Sequence, residues 1–130
     1  MNNGIIKVVS THSFDETYNK LKQALDNNPK LTVIAELNHS NNASKVGLTL
    51  VESKIIFFGN PNLGTPLMKE NIVLGLDLPQ KMLVCKKDNE IIVVYNNPNY
   101  LKERHQIENN NDILNKISNA LKGLADFATK

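Results

Sequence analysis

This 130-residue chain has one cysteine, Cys85, no tryptophan and a single arginine, Arg104. A lone cysteine excludes an internal disulfide, and no Cys or His pair stands at metal-ligand spacing. Cys85 sits inside "MLVCKK", where a thiol reads as a small buried hydrophobe rather than a nucleophile. No apolar stretch approaches the roughly 18 residues of a membrane span. The N-terminus "MNNGIIKVVS" lacks a cationic segment followed by a long apolar one, so a mature cytoplasmic protein is expected. Fifteen basic against 13 acidic residues give a net charge of +2. These charges are scattered, with no basic block or face, which argues against nucleic acid and membrane partners.

The chain is long enough for one domain, residues 1–130, with a core that needs no cross-link. Abundant Asn makes the acceptor-like triplets at Asn38 and Asn42 weak signals. Arg104 is different. Where almost every other cation is Lys, one Arg marks a place for a planar five-donor fork, or else a chance surface position.

Periodicity supplies the elements. "GIIKVV" is a strand, and Ser13 with Glu16 forms capping-box spacing for a helix from Phe14. Phe14, Tyr18, Leu21 and Leu25 share that helix's apolar face. "LTVIAEL" follows as a strand with Leu31, Val33, Ala35 and Leu37 expected on one face. "NHSNNASKVG" is expected to be a loop or one helical turn holding Ala43 and Val46 inward. "LTLVESKIIFF" reads as extended chain whose continuous apolar end marks a central strand. Thr65 as N-cap, Pro66 at the first helical position and Gly75 past the end define a second helix. Asp88-Asn89 is a two-residue hairpin turn between "KMLVCKK" and "EIIVVYN". "NPNYLKERH" should hold a short helix. A long amphipathic helix then carries Leu114, Ile117, Leu121, Leu124 and Ala128. The order β-α-β-β-α-β-β-α predicts an α+β fold: a mainly antiparallel sheet of about five strands with helices on one face.

"FFGNPNLGTPLMK" at 57–69 has the glycine spacing of a phosphate loop, G-x-x-x-x-G-K-[ST]. Thr65 stands where the Lys should, Pro66 where Ser or Thr should, and Pro61 removes a backbone donor. A triphosphate cradle therefore fails on chemistry. What survives is turn chemistry, or a small-anion site at a helix start near Thr65.

His39, Ala43 and Val46-Gly47 precede "FGNP" at 58–61; "GTPLM" at 64–68, "DLP" at 77–79 and "YNNPNYLKERH" at 95–105 follow. This pattern, from about residue 5 to 107, resembles the domain of unknown function 302 family of small bacterial and archaeal proteins. The resemblance implies a compact α+β fold and a homodimer, and it implies no established activity or cofactor. Ile91-Ile92 stands where the family commonly has an aromatic residue.

Polar residues at strand ends and loops are the candidate site. His39 and His105 are candidate acid/base groups, and Asn60, Thr65, Asp77, Tyr95, Asn96, Tyr100 and Arg104 are candidate ligand-binding groups. Arg104 and Thr65 would hold a small anion while an imidazole moves a proton. A metal site from Glu36, His39 and His105 is disfavoured, because the spacing sends Glu36 and His39 to opposite faces of a strand. No resident metal or cofactor is expected. The alternative to a site is structural: Arg104 pairs with Asp77, the tyrosines close the core edge, and the domain is a scaffold. An apolar face on the C-terminal helix or an edge strand is the expected dimer surface.

Overall fold

The computed structural model describes residues 3–130; the N-terminal reading at Met1 and Asn2 lies outside them. Strands β1 (Ile5–Val9), β2 (Thr32–Asn38), β3 (Ser53–Gly59), β4 (Gln80–Lys87) and β5 (Glu90–Asn96) form one sheet. Its spatial order is β1-β5-β4-β3-β2, and every neighbouring pair is antiparallel. Between and after the strands come α1 (Phe14–Asp26), α2 (His39–Lys45), α3 (Pro61–Glu70), a 3₁₀ turn (Ile72–Leu76), α4 (Pro98–His105) and α5 (Asn111–Thr129).

Helix α1 begins as its sequence requires: the Ser13 hydroxyl accepts from the Glu16 amide at 3.1 Å. Its apolar residues Tyr18, Leu21 and Leu25 meet Ile56, Phe58, Met82, Val84, Val93 and Tyr95 from the sheet, and Leu121, Leu124, Ala125 and Ala128 from α5. Burying each large side chain of this set contributes about 1.5–3 kcal/mol before entropy is counted. The β4–β5 hairpin turns at Asp88 and Asn89, both in the left-handed region with φ of 52° and 66°. That is the geometry a two-residue primed turn demands.

Three expectations about local structure change. Helix α3 starts at Pro61, capped by the Asn60 side chain accepting from the Asn62 amide at 3.0 Å. Asn60-Pro61 satisfies the same cap-then-proline rule as Thr65-Pro66, one turn earlier, and the earlier pair wins. Thr65 therefore lies inside the helix, and Pro66 is an interior proline rather than the first helical residue. The helix ends at Glu70, short of Gly75, which falls in the 3₁₀ turn.

In β2 a bulge lies between Val33, opposite Phe58, and Ala35, opposite Phe57. One extra residue reverses the faces beyond it. Val33 packs on the core, whereas Ala35 and Leu37 turn to the opposite face, and Glu36 turns inward to accept from the Tyr18 hydroxyl at 2.6 Å. Burial and that hydrogen bond push the Tyr18 phenol up, while the same bond holds the Glu36 carboxyl down.

The segment after β2 forms the two-turn helix α2 with no buried residue, and Val46 is 72% exposed rather than inward. The extended chain expected from Leu48 becomes strand only at Ser53.

Register places Leu37, Ile55, Leu83, Val94 and Lys7 in one row across the reverse of the sheet, with Phe57, Cys85 and Ile92 on the same face. None of these side chains joins the main core cluster, although Ile92 is itself buried at 6% exposure. The helices cover the other face.

Candidate functional site

The ends of the sheet differ in what they hold. At one end are the start of β2, the end of β3, the start of β4 and the end of β5; at the other are the β4–β5 hairpin and α2. Of the nine candidate residues, eight gather at or near the first end: Asn60, Thr65, Asp77, Tyr95, Asn96, Tyr100, Arg104 and His105. His39 opens α2 at the far end, exposed. The structure thus does not bring the two candidate imidazoles together.

Two distinct arrangements occupy the populated end. The first is polar. Asp77 follows the 3₁₀ turn and receives α4: His105 Nε2 lies 2.5 Å from Asp77 Oδ2, and Arg104 Nη1 donates to the same carboxylate at 3.2 Å. The His105 side chain is 4% exposed, Asp77 16% and Arg104 48%. The Asn71 amide side chain donates to the His105 carbonyl at 2.8 Å, which ties the end of α4 to the 3₁₀ turn. This is the pairing of Arg104 with Asp77 that a structural role requires, with a buried imidazole added. Tyr95 is 6% exposed inside the core, and Tyr100 lies over Gly4. Gly4 has φ of 78°, and a Cβ there would overlap the Tyr100 ring, so this contact needs glycine.

The second arrangement is an apolar pocket of about 460 Å³. Its walls are the β2 start with Ile34, the β3 end at Phe58 to Asn60, helix α3, Leu78-Pro79-Gln80, and the Ile117 to Leu124 face of α5. The bulge in β2 and the cis bond between Leu78 and Pro79 both fall on this wall. A volume of this size lies in the range of roughly 300–1,000 Å³ typical of small-molecule sites. Polar side chains at the pocket are few: Thr32, Asn60, Thr65 and Gln80. Charged side chains are absent from its lining among the described residues. The glycine-proline stretch that resembles a phosphate loop therefore builds the rim of a greasy cavity. Thr65, five residues into α3, has its amide within the helical ladder and offers no free helix-start donor.

Sequence reasoning reached Asn60 and Thr65 but missed the apolar wall, Leu31, Ile34, Leu63, Met68, Leu78 and Ala120. A trace of it existed in β2, where Ile34 is apolar on both sides of the alternation. Among the described residues no group of three or more His, Cys, Asp or Glu side chains could hold a metal ion, and no helix is long and apolar enough to cross a membrane.

A five-stranded antiparallel sheet with two long helices on one face and a pocket at one sheet end defines a small α+β domain. The chain belongs to the domain of unknown function DUF302 family, whose model matches residues 6–124. A solved structure, the uncharacterized conserved protein DUF302 from Bacillus stearothermophilus, superimposes with a TM-score of 0.85 over 99% of this chain and all of that one. The two are 18% identical, so the likeness is one of fold. Curated relatives include fluoride-specific ion channel FluC 1 of Brucella suis biovar 1 (strain 1330) and of Brucella abortus biovar 1 (strain 9-941). Each is 31% identical over 114 residues, which is 87% of this chain. The chain spans 44% and 42% of those relatives, less than half their length.

Proposed function

We propose that this domain binds a small, largely apolar molecule in the pocket between α3, α5 and the bulged edge strand, and works as a homodimer. The observation that carries the reading is the lining: 460 Å³ walled almost entirely by hydrocarbon, with no charge to neutralise an ion. Excluding water from such walls is the dominant driving force available to a ligand here. The polar groups at the rim, Asn60, Thr65 and Gln80, suit one or two hydrogen bonds that fix orientation. The test is native mass spectrometry of the protein purified from its own cells under mild conditions, beside a thermal-shift series of uncharged aromatic and alkyl compounds. A co-purifying apolar molecule, or a saturable rise in Tm with such a compound, supports the reading. Silence in both contradicts it.

A second reading keeps a small anion as the ligand. It rests on the fluoride channel names of the curated relatives and on Arg104, half exposed beside Asp77. Fluorine-19 NMR of fluoride titrated with protein tests it. A shift or broadening lost in Arg104→Ala supports the anion, and an unchanged free-ion signal excludes it.

A further inference from the structure

Cations flank the apolar pocket, although none lines it. Six charged residues stand immediately beside a lining residue in the sequence: Lys30, Lys69, Asp77, Lys81, Lys116 and Lys122. Five of the six are basic, in a chain whose 15 basic and 13 acidic residues nearly balance. Three of the six are already engaged. Asp77 holds His105 and Arg104, Lys81 donates to the Asp77 carbonyl at 3.2 Å, and Lys122 pairs with Asp126 at 2.9 Å. Lys30, Lys69 and Lys116 are exposed, and none of them joins an ion pair among the described residues.

Their places mark the mouth of the pocket. Buried Phe58, Ile117, Leu121 and Leu124 make its floor, while exposed Thr32, Thr65 and Ala120 stand at its opening. Lys30 lies two residues before Thr32, at the entry to β2. Lys69 follows Thr65 by one turn of α3, and Lys116 precedes Ala120 by one turn of α5. Residues four apart on a helix are surface neighbours. Three walls thus each carry one uncommitted ammonium beside the opening, on a stem whose methylenes suit an apolar rim. The Thr32 and Thr65 hydroxyls make no hydrogen bond among the described residues and add donors there.

We infer that the pocket takes a single-chain alkyl carboxylate of the fatty-acid class, its tail inward and its carboxylate at this rim. The inference rests on the apolar-pocket reading above and deepens it by naming the head group. Burial of the chain drives binding, at about fourfold per methylene. The lysines select the sign of the head, each exposed contact being worth up to about fivefold. A phosphate head fits less well, because it calls for free N–H groups at a helix start. At the start of α3, Pro61 has none, and the Asn62, Leu63 and Gly64 amides are all taken by Asn60.

The test is isothermal titration calorimetry of the full chain with decanoate, decanol and decyltrimethylammonium at neutral pH, each below its micellar concentration. A Lys30→Gln/Lys69→Gln/Lys116→Gln triple variant and Ala120→Trp run alongside, with circular dichroism to verify folding. Decanoate should bind wild type saturably and at least fivefold more tightly than decyltrimethylammonium. Its affinity should fall at least fivefold in the triple variant, where decanol is unaffected, and at least tenfold in Ala120→Trp. Equal affinity for the three head groups, or a triple variant that keeps its affinity for decanoate, overturns the inference and leaves the apolar pocket standing. Decanoate that binds Ala120→Trp as tightly as wild type lies elsewhere and overturns it too. If none of the three compounds binds, the inference falls, and titration with the uncharged dye N-phenyl-1-naphthylamine shows whether the pocket reading falls with it. Protein that ignores decanoate yet co-sediments with phosphatidylglycerol vesicles gives the lysines to a membrane surface and overturns the inference.

Discussion

Replacing Asp77 by alanine strips His105 of its hydrogen-bond partner while leaving the imidazole 4% exposed. An orphaned buried polar group costs about 1–3 kcal/mol. The same substitution also breaks the Arg104 contact, but that partner is 48% exposed and can return to water, so it adds at most about 1 kcal/mol. For a chain of this length 1 kcal/mol moves Tm by roughly 3–5 °C. Asp77→Ala should therefore lower Tm by about 3–20 °C, whereas Arg104→Ala should lower it by no more than about 5 °C. Differential scanning calorimetry on the two variants and wild type decides the matter. Equal losses from both, or no loss from Asp77→Ala, would refute the claim that the carboxylate chiefly serves the buried imidazole.

Glu70 offers a pH-dependent counterpart. Its carboxylate accepts from the Glu108 amide at 2.7 Å and from the Asn110 side chain at 2.7 Å, just ahead of α5, which lacks a side-chain cap of its own. Those donors hold the Glu70 carboxyl below its ordinary range. A depressed folded value means the contribution is present above the unfolded carboxylate pKa and fades as pH falls through the folded one. The Tm gap between wild type and Glu70→Gln should thus be widest near neutrality and close in acid. Tyr18→Phe should cost about 1 kcal/mol by urea denaturation, because it removes the donor to Glu36 and leaves an exposed-edge carboxylate able to find water. At the hairpin, Asn89→Gly should be neutral or stabilising, while Asn89→Val should cost about 1–2 kcal/mol, since φ of 66° suits glycine and punishes a β-branched residue.

Local signals were the legible part of this chain. Ser13 with Glu16, Asp88-Asn89 and the α5 stripe each solve a problem within a few residues, and each appears where its pattern places it. The gathering of Asp77, Arg104 and His105 was also foreseeable, because all lie at loops or helix ends beside one sheet end. Competition between equivalent signals was not: Asn60-Pro61 and Thr65-Pro66 obey one rule, and only packing of α3 selects between them. Nor was the β2 bulge, since Ile34 carries no glycine or proline to mark an extra residue. That bulge sends Ala35 and Leu37 to the reverse face and helps line the pocket. The pocket itself joins residues from Leu31 to Leu124, a conjunction made by tertiary structure alone.

The central claim is a working apolar pocket, and one titration tests it most directly. N-phenyl-1-naphthylamine, uncharged and fluorescent only when dry, is added to wild type and to Ala120→Trp. Ala120 is exposed on α5 at the pocket lining, where an indole would occupy the cavity without entering the core. The account predicts saturable one-to-one fluorescence enhancement with wild type, weakened at least tenfold in the variant at unchanged Tm. No saturable binding to wild type, or equal binding to both, would contradict it.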